Sequence, residues 1–415
     1  MLLSMGIRGV TIVAVSYKKL WKLLIDQDMT KSQLRHEAGL STNVVAKMGK
    51  GESVSVEAIE KICRYLNCDI GDIMEIVTEN MDNQDNFASS EESTKLMEDV
   101  LPDKTNMWSV VSLFAGCGGL DLGFRGDFSY LGKYYSRNQF DIIWANEINK
   151  AACTTYRKNV SEHIIEGPIE EKFESLPNSS DVVIGGFPCQ DISINGKMAG
   201  VNGKRSGLYV WMVKAVERLH PKVFVAENVK ALLMKRHELS LNRVVSDFSA
   251  LGYNVSYHLY NAADYGVPQI RERVIIVGIR KDIKNAFLPP QTVTETHRIT
   301  VKQAIDDLAS VPADESISHI WSAAKPSSGQ GLRYLSADSP STTMRSECHG
   351  NLQFHYSLPR RISMREAARI QSFPDDFRFV AKLRETERMI GNAVPPVFAW
   401  YIAQAVSEVL RMDVD

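Results

Sequence analysis

The chain has 415 residues, 44% of them hydrophobic and 24% charged, which is enough for two or three domains with full cores and excludes a disordered or fibrous protein. Its formal net charge is −2, so a nucleic-acid partner has to be met by a local basic surface and not by a globally basic protein. The six cysteines (Cys63, Cys68, Cys117, Cys153, Cys189 and Cys348) form no CxxC pair and no zinc-like spacing with histidine, which argues against a metal site and a disulfide framework and fits a reducing cytoplasm.

The apolar start, MLLSMGIRGVTIVAVS, has a core of about seven residues after Arg8 and no small-residue cleavage site, so residues 1–16 read as an extension and not as a signal peptide. Residues 1–12 are expected to contribute nothing to the fold. No run reaches the roughly 18 apolar residues of a membrane-spanning helix. Residues 17–79 then carry short amphipathic helices. Leu20, Leu23 and Leu24 lie at helical spacing, Thr30 is placed to cap KSQLRHEA, Gly39 breaks the chain, and Ser41 caps TNVVAKM. Helix, glycine-containing turn, helix is the helix-turn-helix pattern. Ile59, Ile62, Cys63 and Leu66 share one face of the next helix, and Ile70, Ile73 and Met74 are expected to close the core. The stretch resembles the phage-repressor-like DNA-binding domains. That resemblance implies a recognition helix from Ser41 to Met48 offering Thr42, Asn43 and Lys47 to DNA. From Arg8 to Glu79 there are ten basic and ten acidic residues, so any basic face must arise by segregation.

Residues 80–107 have linker composition, with seven acidic and two basic side chains between Met81 and Asn106. A new domain opens at Trp108. SVVSLF reads as a buried strand and runs into AGCGGLDLGF, a glycine-rich turn entering a helix; about thirty residues later FDIIWANE is a second strand ending in Glu147. The turn departs from GxGxxG and no Walker lysine follows, which points to an adenosyl cofactor without a pyrophosphate. DVVIGGFPCQ is a third buried strand that stops at two glycines and presents Cys189 at its carboxyl end, where open α/β sheets hold ligands and reactive groups. Taken alone, Cys189 is either a nucleophile or a buried structural cysteine. Helix Leu208 to Leu219, strand KVFVAENV ending at Glu227, a helix through Leu241 to Leu251 and strand RVIIVGIR continue the alternation, which gives an α/β doubly wound sheet.

SLFAGCGGLDLGF, GGFPCQDIS, VFVAENV, GVPQIRERVIIVG, REAARIQSFPDDF and GNAVPP occur in that order between residues 108 and 411, and the set resembles the motifs of the DNA cytosine-5 methyltransferases. The resemblance implies transfer of a methyl group from S-adenosylmethionine to carbon 5 of cytosine in duplex DNA. Cys189 would add to carbon 6 of a base extruded from the stack, Glu227 would handle a proton at ring nitrogen 3, and Arg271 and Arg273 would steady the base, with Arg273 nearer to it. Asn228 reads as a holder of loop geometry. For the cofactor the resemblance carries Phe114, Ala115, Gly116, Gly118 and Gly119 to the methionine part, Glu147 to the ribose, Ile169, Pro188 and Leu208 to the pocket, and Asn392 and Val394 to the carboxylate end. Pro168 stands where the family usually has an aspartate for the adenine amino group, and Glu166 is the candidate substitute. The glycine-rich segment after the nucleophile, with Ser193 facing DNA, reads as a lid.

The resemblance divides the chain into a catalytic domain (108–280), a target-recognition region (281–358) and a return to the catalytic domain (359–415). From His319 to Gln371 there are seven basic and three acidic residues, so a basic surface is expected there, with Arg333, Thr343 and Arg345 as candidate readers of DNA. GATC is the guess for the target. The alternatives are a tRNA cytosine-5 methyltransferase and a catalytically inert transcription regulator.

Overall fold

The computed structural model describes residues 12–17, 19–20, 23–24, 29–40, 42–49, 54–66, 68–79, 107–187, 207–323, 334–346 and 353–411. Ser41, Pro188, Cys189, Ser193 and Arg333, and with them the expected lid, lie outside the described residues. The chain divides into two compact units, Met1–Glu98 and Asp99–Asp415.

The first unit begins with strand β1 (Ile12–Ser16). Leu20 and Leu24 are buried beneath α1 (Lys31–Glu37), α2 (Thr42–Gly49) and α3 (Val56–Leu66). Thr30 caps α1 as expected: its hydroxyl accepts from the Gln33 amide at 3.2 Å, and the Gln33 side chain accepts from the Thr30 amide at 2.8 Å. Gly39 ends that turn at φ +61°, where a side chain would strain the backbone. After the short α4 (Ile70–Ile73), strand β2 (Glu75–Glu79) pairs antiparallel with β1, from Ile12 opposite Glu79 to Ser16 opposite Glu75. Residues 12–16 are therefore not an extension, and the unit adds a two-stranded ribbon to its helices. Ile73 is buried, whereas Ile70, expected in the core, is 48% exposed. It is the first residue of a one-turn helix capped by Asp69, and that turn aims it outward.

The second unit runs in order through β3 (Trp108–Leu113), α5 (Gly119–Arg125), the hairpin β4 (Phe128–Tyr130) and β5 (Lys133–Tyr135), β6 (Phe140–Glu147), α6 (Lys150–Asn159), β7 (Ile164–Glu166), α7 (Ile169–Lys172) and β8 (Val182–Gly186). It continues through α8 (Leu208–Leu219), β9 (Val223–Val229), α9 (Glu238–Ala250), β10 (Tyr253–Asn261), β11 (Gln269–Ile270) and β12 (Glu272–Arg280). The last elements are α10 (Val301–Ile305), β13 (Ser341–Thr342), α11 (Met364–Ile370), α12 (Leu383–Asn392) and α13 (Pro396–Arg411).

Seven strands form one sheet in the order β10-β12-β9-β8-β3-β6-β7. The central strands β9, β8, β3, β6 and β7 are parallel, while β12 runs antiparallel to both β9 and β10. Strand side chains alternate between two cores. Val110, Ile184 and Val225 pack with α5 and α13 on one face; Val111, Val183 and Phe224 pack with α8 and α9 on the other. Covering both faces is what lets the strands read as continuous apolar runs. Ile283, Phe287, Val301, Ile305, Leu335 and Met344 belong to the first of these cores, so the described part of residues 281–358 is built onto the sheet. The apolar helical stretch Leu383–Arg411 is mostly buried against it as well.

Candidate active site

The parallel strands end along one edge, and the site is built there. At the end of β3 the chain turns through three left-handed residues, Phe114 (φ 57°), Gly116 (φ 58°) and Gly118 (φ 94°), and enters α5. The turn aims unsatisfied amides of the first helical turn toward a ligand. A side chain on Gly119 would collide with the Val394 carbonyl, so glycine lets the segment before α13 close over the start of α5. Glu147, the last residue of β6, accepts from the Gly116 amide at 2.9 Å and from the Asn149 amide at 2.8 Å. Each carboxylate oxygen keeps a lone pair for a further donor.

A cavity of about 510 Å³ opens here, within the ordinary size range of cofactor pockets. Phe114, Ala115, Gly116, Gly119, Glu147, Leu208, Asn392 and Val394 line it. Gly118 and Ile169 do not. Gly118 is the N-cap of α5, and Ile169, 2% exposed, is absorbed by the second core. Pro168 caps α7, and Glu166 is not on the cavity wall; Asn149 and Ala152 are. The glycine cradle, the helix amides and the bound carboxylate fit an adenosyl amino acid.

The opposite wall carries the residues expected to act on a base. Glu227 and Arg273 sit on the neighbouring strands β9 and β12, with Arg273 Nε 2.7 Å from Glu227 Oε1 and both side chains largely buried. Arg273 Nη1 also donates to the Glu272 carbonyl at 2.8 Å. Gly186 lies opposite Glu227 on β8, and a Cβ there would come within 3.1 Å of Glu227 Oε2, so glycine leaves room for the carboxylate. Asn228, 1% exposed, donates to the Phe187 carbonyl at 2.8 Å and accepts from the Val229 amide at 2.9 Å. It fixes the backbone two residues before Cys189.

Arg271 departs from the expected role. It is 1% exposed and donates to the Met344 carbonyl at 3.1 Å and the Gly391 carbonyl at 3.0 Å. Burial pushes its pKa down to about 9, which still leaves it charged at neutral pH. It lines the cavity and clamps its wall together, with two of its donors committed to carbonyls. Gln269, which the sequence reading did not assign, extends this seam: it accepts from the Met344 amide at 2.8 Å and donates to the Gln371 side chain, and Gln371 donates to the Ala393 carbonyl at 2.6 Å. Only its place in the GVPQIRERV motif could have drawn attention to it.

Two of the expected DNA readers in the recognition region can be placed. Thr343 donates to the Ile270 carbonyl at 2.7 Å and so serves the backbone, whereas Arg345 is exposed at the cavity rim. The basic surface expected from His319 to Gln371 does not form from its described members. Arg360 pairs with buried Glu366 at 2.7 Å, and Arg361 lies over the Phe354 ring. Arg365 donates to the carbonyls of Ile317, Pro374 and Phe377, and Arg369 pairs with Asp307 and Asp375. Of these arginines Arg345 alone is exposed; His319 and His355 are buried. In the first unit Lys47 is exposed on α2, and Thr42 and Asn43 lie on the same helix, their side chains outside the described set.

The fold and the cavity define an S-adenosylmethionine-dependent methyltransferase of α/β architecture. Within that class, the model of the C-5 cytosine-specific DNA methylases matches residues 108–325 and 318–408, and the chain belongs to that family. A Cro/C1-type helix-turn-helix DNA-binding domain matches residues 19–79. The chain is 36% identical over 340 residues to the type II methyltransferase M.NgoFVII of Neisseria gonorrhoeae, covering 74% of this chain and 88% of that one. To the type II methyltransferase M.FnuDI of Fusobacterium nucleatum it is 36% identical over 338 residues, 72% of this chain and 94% of that one. Among solved structures, the Entamoeba histolytica methyltransferase EhMeth superposes with a TM-score of 0.53 at 19% identity, covering 74% of this chain and 99% of that one, a likeness of fold. The protein is thus a C-5 cytosine DNA methyltransferase of the type II restriction-modification kind with an amino-terminal helix-turn-helix domain.

Proposed function

We propose that the protein methylates carbon 5 of a cytosine in a short specific duplex site, in the cytoplasm of a prokaryotic cell, and protects that DNA from a cognate restriction endonuclease. The observation that carries this reading is the ion pair of Glu227 and Arg273 on the wall of the same cavity that holds the glycine turn and Glu147. S-adenosylmethionine, when bound, supplies an electrophilic methyl group on a sulfonium. Glu147, the amides of the glycine turn and Asn392 would hold it.

Carbon 5 of cytosine is a weak nucleophile. The Cys189 thiolate adds to carbon 6, Glu227 supplies a proton at ring nitrogen 3 as negative charge builds there, and carbon 5 becomes able to take the methyl group. Loss of the carbon 5 proton to a base, return of the nitrogen 3 proton to Glu227 and expulsion of the Cys189 thiolate restore the ring. Arg273 holds the Glu227 carboxylate, and Asn228 holds the backbone that leads to Cys189. Because the reacting carbons lie inside the duplex stack, the base must be extruded. The helix-turn-helix domain, with Thr42, Asn43 and Lys47 on α2, reads an operator near the enzyme's own gene and makes repression separable from methylation.

Transfer of a labelled methyl group to duplex DNA, set against tRNA, tests the reaction, and bisulfite sequencing of DNA from cells expressing the protein locates the site. Cys189→Ala should abolish transfer while DNA and cofactor still bind. Turnover above a few per cent of wild type would remove Cys189 from its role.

A further inference from the structure

Among the described residues, the arginines expected to form a basic face between His319 and Gln371 are largely tied up inside the protein, Arg345 excepted, which leaves room for another element to supply charge to the DNA backbone. We propose that the basic turn Lys235–Arg236–His237, between β9 and α9, clamps the phosphate backbone of the duplex beside the extruded cytosine. This rests on the reading of the protein as a duplex-DNA methyltransferase.

Topology places the turn. β9 carries Glu227 and Asn228 at its carboxyl end, parallel to β8, whose end leads toward Cys189. The chain leaves this edge at Val229, which lines the cavity, and passes through Lys235–Arg236–His237 before it enters α9. Met234, Lys235 and Arg236 are exposed, and neither Lys235 nor Arg236 has an ion-pair partner among the described residues. Lys230, a few residues earlier, differs: Glu272 neutralises it at 2.8 Å.

The turn is also mounted rigidly. Buried Leu232 precedes it, buried Leu241 follows it, both in the second core, and the His237 amide donates to the Met234 carbonyl at 2.7 Å. Two cations held on an ordered turn lose less conformational entropy on meeting phosphates than cations on a loose loop do. Met234 and Leu239, 46% and 65% exposed, flank them with apolar surface that suits the sugars between phosphates.

The test is the KM for a short duplex carrying the unmethylated target site, measured by labelled methyl transfer with the full-length enzyme between about 50 and about 200 mM salt. Each lost phosphate contact flattens the logarithmic salt dependence by about 0.9, so Lys235→Ala/Arg236→Ala should flatten it by about 1.8. The ratio of variant to wild-type KM should then shrink about tenfold across that range, with the loss falling on KM and not on the rate at saturating duplex. Lys235→Arg/Arg236→Lys should restore the wild-type slope. A raised KM with an unchanged slope, or no change at all, overturns the clamp. A wild-type enzyme that transfers no methyl group to any duplex overturns the underlying function, an outcome read before either variant is made.

Discussion

Arg273 Nε and Glu227 Oε1 lie 2.7 Å apart across antiparallel strands, and their side chains are only 12% and 13% exposed. A carboxylate so withdrawn from water needs its cation, and the pair ties a proton-handling group to a fixed point on the cavity wall. Glu227→Gln keeps the shape and removes the acid, so single-turnover methyl transfer should fall by about 10² or more; it also leaves the Arg273 charge without its counter-charge, at a smaller cost in stability than Arg273→Ala because the amide oxygen still accepts from the guanidinium. Arg273→Ala should lose activity and also roughly 3 kcal/mol of stability, because it leaves a largely buried charge alone. Rapid-quench kinetics and urea unfolding separate the two outcomes; equal stability losses in both variants would show that the pair serves packing alone.

Asn228→Ala should strand the Phe187 carbonyl, now held at 2.8 Å in a fully buried setting. An unmet buried acceptor costs about 1–3 kcal/mol, and the backbone leading to Cys189 should loosen with it. The expected signature is a lower rate of methyl transfer with cofactor affinity retained, since Asn228 does not hold the glycine turn. Unaltered turnover in a folded variant would confine Asn228 to a turn without consequence for the nucleophile.

Local patterns made the glycine turn, Glu147 and the Thr30 cap legible, because each is specified within a few residues of chain. What escaped was specified by distance. Nothing near Ile12–Ser16 announces a partner strand some sixty residues away, so the sequence alone reads there as an extension. Strand β10 reads YNVSYHLYN; at the edge of the sheet most of its side chains stay partly exposed, so it carries no continuous apolar run. Arg271 was assigned to a base because carbonyls, its actual partners, leave no mark on a sequence. The same holds for the arginines between His319 and Gln371: a count of charges cannot tell a cation facing DNA from one closed over by Glu366 or Asp375.

Deleting residues 1–16 from the full chain should destabilise the helix-turn-helix unit while leaving methyl transfer intact. Five residue pairs join β1 to β2, and at about 0.5–1.5 kcal/mol net for each hydrogen bond their loss should total a few kcal/mol. Amide hydrogen exchange reads this locally: amides of α1 and α3 should exchange faster in the deletion, and those of β3 and β8 should not. Unchanged protection across residues 31–66 would mean that the ribbon only decorates the helices.

Asp121 makes stability depend on pH in an unusual direction. It is fully buried in α5; one oxygen accepts from the Tyr156 hydroxyl at 2.7 Å and the other has no partner among the described residues. Burial, the largest influence, pushes its pKa up to about 6, against about 3.9 for an unperturbed aspartate. Between those two values the folded state holds a proton that the unfolded state has released, so this residue's contribution to stability falls as pH rises from about 4 to about 6 and is constant above. The penalty at neutral pH is on the order of 3 kcal/mol. Asp121→Asn cannot ionise, still offers an oxygen to Tyr156, and turns an amide donor toward the neighbouring Ser112 hydroxyl. The variant should therefore be more stable than wild type at pH 7.5 by about 1–3 kcal/mol, with the advantage shrinking toward pH 4.5. Taking the difference between the two proteins at each pH cancels the titration of every other carboxylate. If urea midpoints show a gap that stays constant across that range, or one that widens toward acid, Asp121 is not the group whose burial opposes its charge.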